Sequence, residues 1–187
     1  MSEGLRTTLA FVAFALVLAL APMAFSSGTA ITMMSLMGIM IIFSLSYNML
    51  LGQTGLLSFG HAVYYGLAGF CAAHAVNYIA RNKLGAPLPL VPIVGALAGL
   101  FFGIVFGSIS TRRAGTVFSM ISLGLGELVA SFAGIQRSFF GGEDGIAINR
   151  TKLPAFLGYK FGPQIQVYYL IAVWCLICVA LMYAITR

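Results

Sequence analysis

The chain alternates long apolar runs with short polar breaks. Six runs approach or exceed the roughly 20 residues that a bilayer crossing needs: 8–25, 30–51, 56–80, 88–110, 116–135 and 165–186. The breaks are SSGT at 26–29, GQTG at 52–55, RNKLGAPLP at 81–89, TRRAG at 111–115 and the long stretch 136–164. They hold ten of the 14 charged residues, ten of the 22 glycines and four of the six prolines. The pattern predicts an all-α polytopic membrane protein with about six transmembrane helices and a long external loop before the last. Residues 1–187 read as a single transmembrane domain. Arg6 ahead of the first run, with small residues at 24–28, also fits a cleaved signal peptide. The length of that run favours a retained helix.

Composition points the same way. Of 187 residues, 60% are hydrophobic and 7% charged, where a soluble domain carries about a quarter charged residues. Mean hydropathy is +1.01. A net charge of +6 would suit nucleic acid, but the ten basic residues form no cluster larger than Arg112-Arg113. They sit between the runs, as orientation signals do. With Arg6 in the cytoplasm, Arg112, Arg113 and Arg187 fall inside, whereas Arg81, Lys83, Arg137, Arg150, Lys152 and Lys160 fall outside. The paired arginines of the short 111–115 loop decide the orientation, because long loops translocate largely regardless of charge. The basic and aromatic stretch 149–161 reads as a segment lying along the membrane surface. Cys71, Cys175 and Cys178 lie inside apolar runs, without the cationic neighbours that make a thiol reactive.

Against this background the polar groups inside the runs carry the candidate chemistry. Gly95, Gly99, Gly103 and Gly107 repeat every four residues and predict a flat face for close helix packing. Glu127 is the one acidic residue well inside a span, and it shares a helix face with Gly124, Ser131 and Gly134. A carboxyl group there costs several kcal/mol unless paired, hydrated or protonated. A structural hydrogen bond to a neighbouring helix, with His61 as one candidate partner, a place along a translocation route and a proton relay are the readings it allows. His61 has too few neighbouring ligands for a metal site, and His74 is thirteen residues away. No phosphate-binding loop motif is present, so ATP hydrolysis is not expected of this chain. The GQTG break predicts non-helical backbone, with Thr54 or Ser58 capping the next helix. Such backbone at membrane depth is tolerated beside a route or under protein cover; an ordinary cytoplasmic turn is the other reading.

Three blocks carry a resemblance. NMLLGQTGLLSFGHAVYYGLAGF at 48–70, RRAGTVFSMISLGLGELV at 112–129 and GGEDGI at 141–146 occur in the order found in branched-chain amino acid ABC transporter permeases of the LivM type. The chain resembles that family over about 100 residues. The matching positions are Asn48, Gly52, Gly55, Ser58, Gly60 and His61, then Gly115 and Glu127, then Gly141, Gly142, Asp144 and Gly145 of the external turn. The resemblance implies a multi-pass subunit of the bacterial inner membrane. Its implied partners are a second related permease, two cytoplasmic ATPases and a periplasmic solute-binding protein. ATP and Mg would act in those ATPases, and this chain would hold no cofactor, metal or catalytic residue. Asn48, Gly52, Gln53, Thr54, Gly55, Ser58, Gly60, His61 and Glu127 become the candidates for a pathway or gate. Family members continue past the position of Arg187, so the expectation is either a truncated or divided permease or a subunit whose coupling to the ATPases another chain supplies. The rival reading is a proton-coupled secondary transporter or channel using Glu127 and His61; a scaffold subunit without its own route is a third.

Overall fold

The computed structural model describes residues 3–82, 85–113, 115–150, 153–155, 159 and 161–186, without the side chains of Glu3 and Glu143. Lys83, Lys152, Lys160 and Arg187 lie outside the described residues, as does part of the 149–161 stretch. The helices are α1 (Glu3–Ala24), α2 (Gly28–Thr54), α3 (His61–Asn82), α4 (Val91–Ser110), α5 (Thr116–Ile135), the short α6 (Arg137–Phe140) and α7 (Gln164–Thr186). No β-strand occurs among the described residues. Five of the long helices are apolar enough to cross a membrane: α1, α2, α4 with the preceding turn, α5 and α7. The third run, 56–80, forms α3, which has the length, about 33 Å at 1.5 Å per residue, but is diluted by His, Tyr, Asn and Gly. Its exposure is lower than that of its neighbours, because α4 and α5 pack on it. On this helix His74 and Asn77 bond the backbone carbonyls of Phe139 and Ala147.

The chain divides into two compact units, Met1–Ser46 with Phe161–Arg187, and Tyr47–Lys160. In the first, α1 and α7 run antiparallel. Tyr168, Ala172 and Cys175 form a buried stripe at helical spacing on α7, and Ile171 closes on α2 at Gly38, where an added Cβ would stand 3.0 Å from Ile171 Cγ2. Ser27 caps α2, accepting the Ala30 N–H at 3.2 Å. Pro22 lies inside α1 and supplies no N–H, so the carbonyl of Leu18 loses its helical partner. The Tyr168 hydroxyl donates to that carbonyl at 2.7 Å. Tyr169 reaches Ala19 O at 3.4 Å, and Phe11 meets Tyr183 edge-on at 5.6 Å. The large apolar side chains of α1, among them Leu16, Val17 and Leu20, remain exposed, as a lipid-facing surface requires.

In the second unit α3 and α4 are antiparallel neighbours. Gly95 would place a Cβ 3.7 Å from Ala68 O and Ala72 Cβ, and Gly99 one 3.6 Å from Ala68 Cβ. Gly103 and Gly107 meet nothing within 4 Å. Among the described residues of this chain, Gly95 and Gly99 are thus the two glycines of the ladder that face a neighbouring helix. At the Arg81 end of α3, Val76, Val91 and Leu153 form a buried cluster backed by Ala72, Ile79 and Leu88.

Tyr168→Phe should leave the Leu18 carbonyl unpaired and cost about 1–3 kcal/mol. A lower melting temperature of the purified protein in detergent, with Tyr169→Phe shifting it less, is the expected result.

Candidate functional site

The conspicuous polar break folds differently from its sequence outline. Gly52, Gln53 and Thr54 complete the last turn of α2. The Thr54 hydroxyl donates back to the Leu50 carbonyl, so it does not cap α3. Helix α2 stops at Gly55, whose positive φ of 68° suits a residue without Cβ and whose N–H still reaches Leu51 O at 3.0 Å. Asn48 lies over Gly52, with Oδ1 3.5 Å from where a Cβ would stand. Residues 55–58 are non-helical, 59–60 turn, and α3 begins at His61.

That short segment is docked on α5. The Ser119 hydroxyl donates to Leu57 O at 2.7 Å, and the Phe59 N–H donates to Ser122 Oγ at 3.0 Å. Ser122 Oγ in turn donates to Ser119 O at 2.8 Å. Two serines one turn apart thus satisfy an acceptor and a donor of the irregular backbone. Ser58, Gly60 and Ser122 are buried. Gly60 approaches so closely that an added Cβ would stand 2.2 Å from Ser122 O. The segment therefore needs glycine at that position and small hydroxyl side chains opposite it. The sequence alone had not singled out Ser119 or Ser122.

His61 sits half-buried at the head of α3, edge-on to Tyr47 at 5.5 Å and Tyr64 at 6.2 Å. Tyr64 meets Phe106 at 6.3 Å, and Phe106 stacks on Phe102 at 6.0 Å. A row of rings thus ties the end of α2 to α3 and α4. Glu127 is elsewhere. Five residues beyond Ser122 it is turned about 140° around α5, exposed, with no hydrogen bond or ion pair to another described residue. The expected hydrogen bond between Glu127 and His61 is absent. Met120, Leu123, Gly124, Ser131 and Gly134 share its exposed face.

The GGEDG turn lies at the other end of α3. The imidazole of His74 bonds Phe139 O through Nε2 at 2.8 Å and stacks on the Phe139 ring at 5.1 Å. Asn77 Nδ2 donates to Ala147 O at 3.1 Å, and Phe70 meets Phe140 at 4.9 Å. Gly141 is left-handed, and its built Cβ would strike Gly145 O at 2.2 Å, so the turn closes on itself. Gly142 and Gly145 also have positive φ, and Asp144 is exposed.

Gly60→Ala should push the 55–60 segment off α5 and abolish recovery of monodisperse protein. Gly66→Ala, with open space around it, should be tolerated. Ser122→Ala should cost about 1–3 kcal/mol by stranding the Phe59 N–H. Size-exclusion profiles and melting curves in detergent check all three.

Comparison with known proteins follows the same residues. The family described as "Branched-chain amino acid transport system / permease component" matches residues 29–187. The high-affinity branched-chain amino acid transport system permease protein LivM of Escherichia coli strain K12 is 28% identical over 196 residues, covering 95% of this chain and 45% of that protein. The LivM protein of Salmonella typhimurium strain LT2 is 26% identical over 167 residues, covering 80% of this chain and 38% of its own length. The chain thus spans less than half the length of these relatives. No solved structure matches. The family match takes in the docked segment, the serines that hold it and the closed glycine turn alike, and the chain belongs to the branched-chain amino acid transport system permease family.

Proposed function

We propose that this chain is a transmembrane permease subunit of a binding-protein-dependent ABC importer in the bacterial inner membrane. It moves branched-chain or closely related amino acids inward by alternating access, with ATP and Mg acting in cytoplasmic ATPase partners. A second related permease completes the route, and a periplasmic binding protein delivers the solute. The family match over 29–187 and the two LivM relatives support this reading.

The observation that carries it to particular residues is the uncovered face of α5. Glu127 is the twelfth of the 20 residues of α5, well inside the span. An unpaired carboxylate facing hydrocarbon there costs several kcal/mol. Water in a route or a helix of the second permease offsets that cost, and small Gly124, Ser131 and Gly134 let either come close. Ser119 and Ser122 lie about 80° and 140° around α5 from Glu127 and hold the 55–60 segment, so that segment and the head of α3 move with α5 as one body. ATP-driven changes in the partners shift this body between outward- and inward-open packings. Asn48, Gly52, Gln53, Thr54, Gly55, Ser58, Gly60 and His61 shape its cytoplasmic edge. A proton-coupled carrier using Glu127 and His61 gains no support from their separation.

Affinity purification in mild detergent should bring down two ATPases and a second permease. Uptake should stop on ATP depletion and persist with a protonophore; the reverse pattern would favour the proton-coupled rival. Glu127→Gln at matched expression should lower the maximal uptake rate by roughly tenfold, and an unchanged rate would reduce Glu127 to packing.

A further inference from the structure

A second polar feature lies away from the 55–60 segment. A cleft of about 750 Å³ opens between the last two turns of α3 and residues 138–147. That volume falls within the roughly 300–1,000 Å³ of small-molecule sites. Its walls are held in place from both sides, by His74 on Phe139 O and by Asn77 on Ala147 O. Those two bonds use the imidazole Nε2 and the Asn77 amide nitrogen. Arg81 also lines the cleft and makes no hydrogen bond or ion pair with another described residue. A cation in the last turn of α3 does favour the helix carboxyl end. The dipole does not account for its company, however. Tyr78 and Ser138 bring hydroxyls to the same space, and Ile146 and Ala147 bring a short apolar wall.

We propose that this cleft binds the carboxylate of a small aliphatic solute, with the Arg81 guanidinium as the anchor. A guanidinium fork matches a planar carboxylate through two parallel N–H bonds. Arg81 is the one permanent cation among the described lining residues, and it matches a single negative charge. The Asn77 carbonyl oxygen, left over from the bond to Ala147, and the hydroxyls of Tyr78 and Ser138 accept from a donor on the same solute. Ile146 and Ala147 meet its aliphatic part. The choice of an amino acid as probe, and the placing of this mouth on the periplasmic side, rest on the importer reading above. The cleft itself does not.

The test uses the 187-residue chain in phosphatidylcholine nanodiscs, without partners, and radiolabelled L-leucine. Saturable binding is expected, displaced by unlabelled L-leucine and at least tenfold less well by leucinamide, which lacks the carboxylate. Arg81→Gln should weaken binding at least tenfold, Arg81→Lys less, and Ser138→Ala severalfold, while Arg113→Gln on another loop leaves it unchanged. Size-exclusion profiles check that each variant is folded, and Ser138→Ala carries the test if Arg81→Gln is not. Absence of saturable binding, equal competition by leucinamide, or wild-type binding by Arg81→Gln would overturn the proposal. So would Arg81-dependent retention of phosphatidylglycerol without leucine binding, which would make this a lipid headgroup site. Uptake by the assembled importer separates the two readings. ATP-driven uptake unaffected by Arg81→Gln removes the cleft and keeps the importer, whereas Arg81-dependent binding without ATP-driven uptake does the opposite.

Discussion

In hydrocarbon no water waits to satisfy a peptide group, so each N–H and C=O that leaves a helix needs a protein partner. Among the described residues two places free backbone groups from a helix, and a hydroxyl partners them in both. Pro22 frees the Leu18 carbonyl, and Tyr168 supplies the donor. The connection after α2 frees Leu57 O and Phe59 N, and Ser119 and Ser122 supply one partner each. Hydroxyls suit the task because they donate and accept from one small group. The second case also imposes a steric demand, since Gly60 must sit against the Ser122 carbonyl for the bond to Phe59 to form.

The same scarcity of water sorts the helices. Where a helix is apolar around its surface, as α1 is, lipid can cover it without cost. Where a helix mixes His, Asn, Tyr and Gly, as α3 does, neighbouring helices and the glycine turn cover much of it. Glu127 is the exception within this chain, a charged group on a face that nothing described covers. That mismatch between cost and cover places functional interest on α5.

Much of this organisation was legible in the sequence. The runs at 116–135 and 165–186 coincide with α5 and α7 to within a residue, because length and uniform apolarity define a span with few competing solutions. Sequence placed the break at 52–55 because two glycines relax the backbone there and the side chains of Gln53 and Thr54 can bond freed peptide groups, yet Gly52–Thr54 remain helical. The glycine at 55 ends the helix by its backbone angle, which composition does not reveal. Repetition of glycine on α4 showed a flat face but not how far a neighbour extends along it. Antiparallel α3 meets it only at Gly95 and Gly99. Ser119 and Ser122 were missed because their partners lie some 60 positions away and are backbone atoms, which carry no residue-specific signal. Glu127 and His61 were set together because both are polar in oily surroundings; helix rotation separates them.

The long reach of these bonds bears on how the chain is made. Leu18 and Tyr168 are 150 residues apart, and Phe59 and Ser122 are 63 apart. At about 5–20 residues per second, the Leu18 carbonyl emerges roughly 8 to 30 seconds before its donor exists. The opened turn of α1 must therefore linger near the insertion machinery or at the hydrated headgroup level until α7 arrives. Biogenesis and the finished fold thus share one timing problem, set by the 150 positions between the carbonyl and its donor.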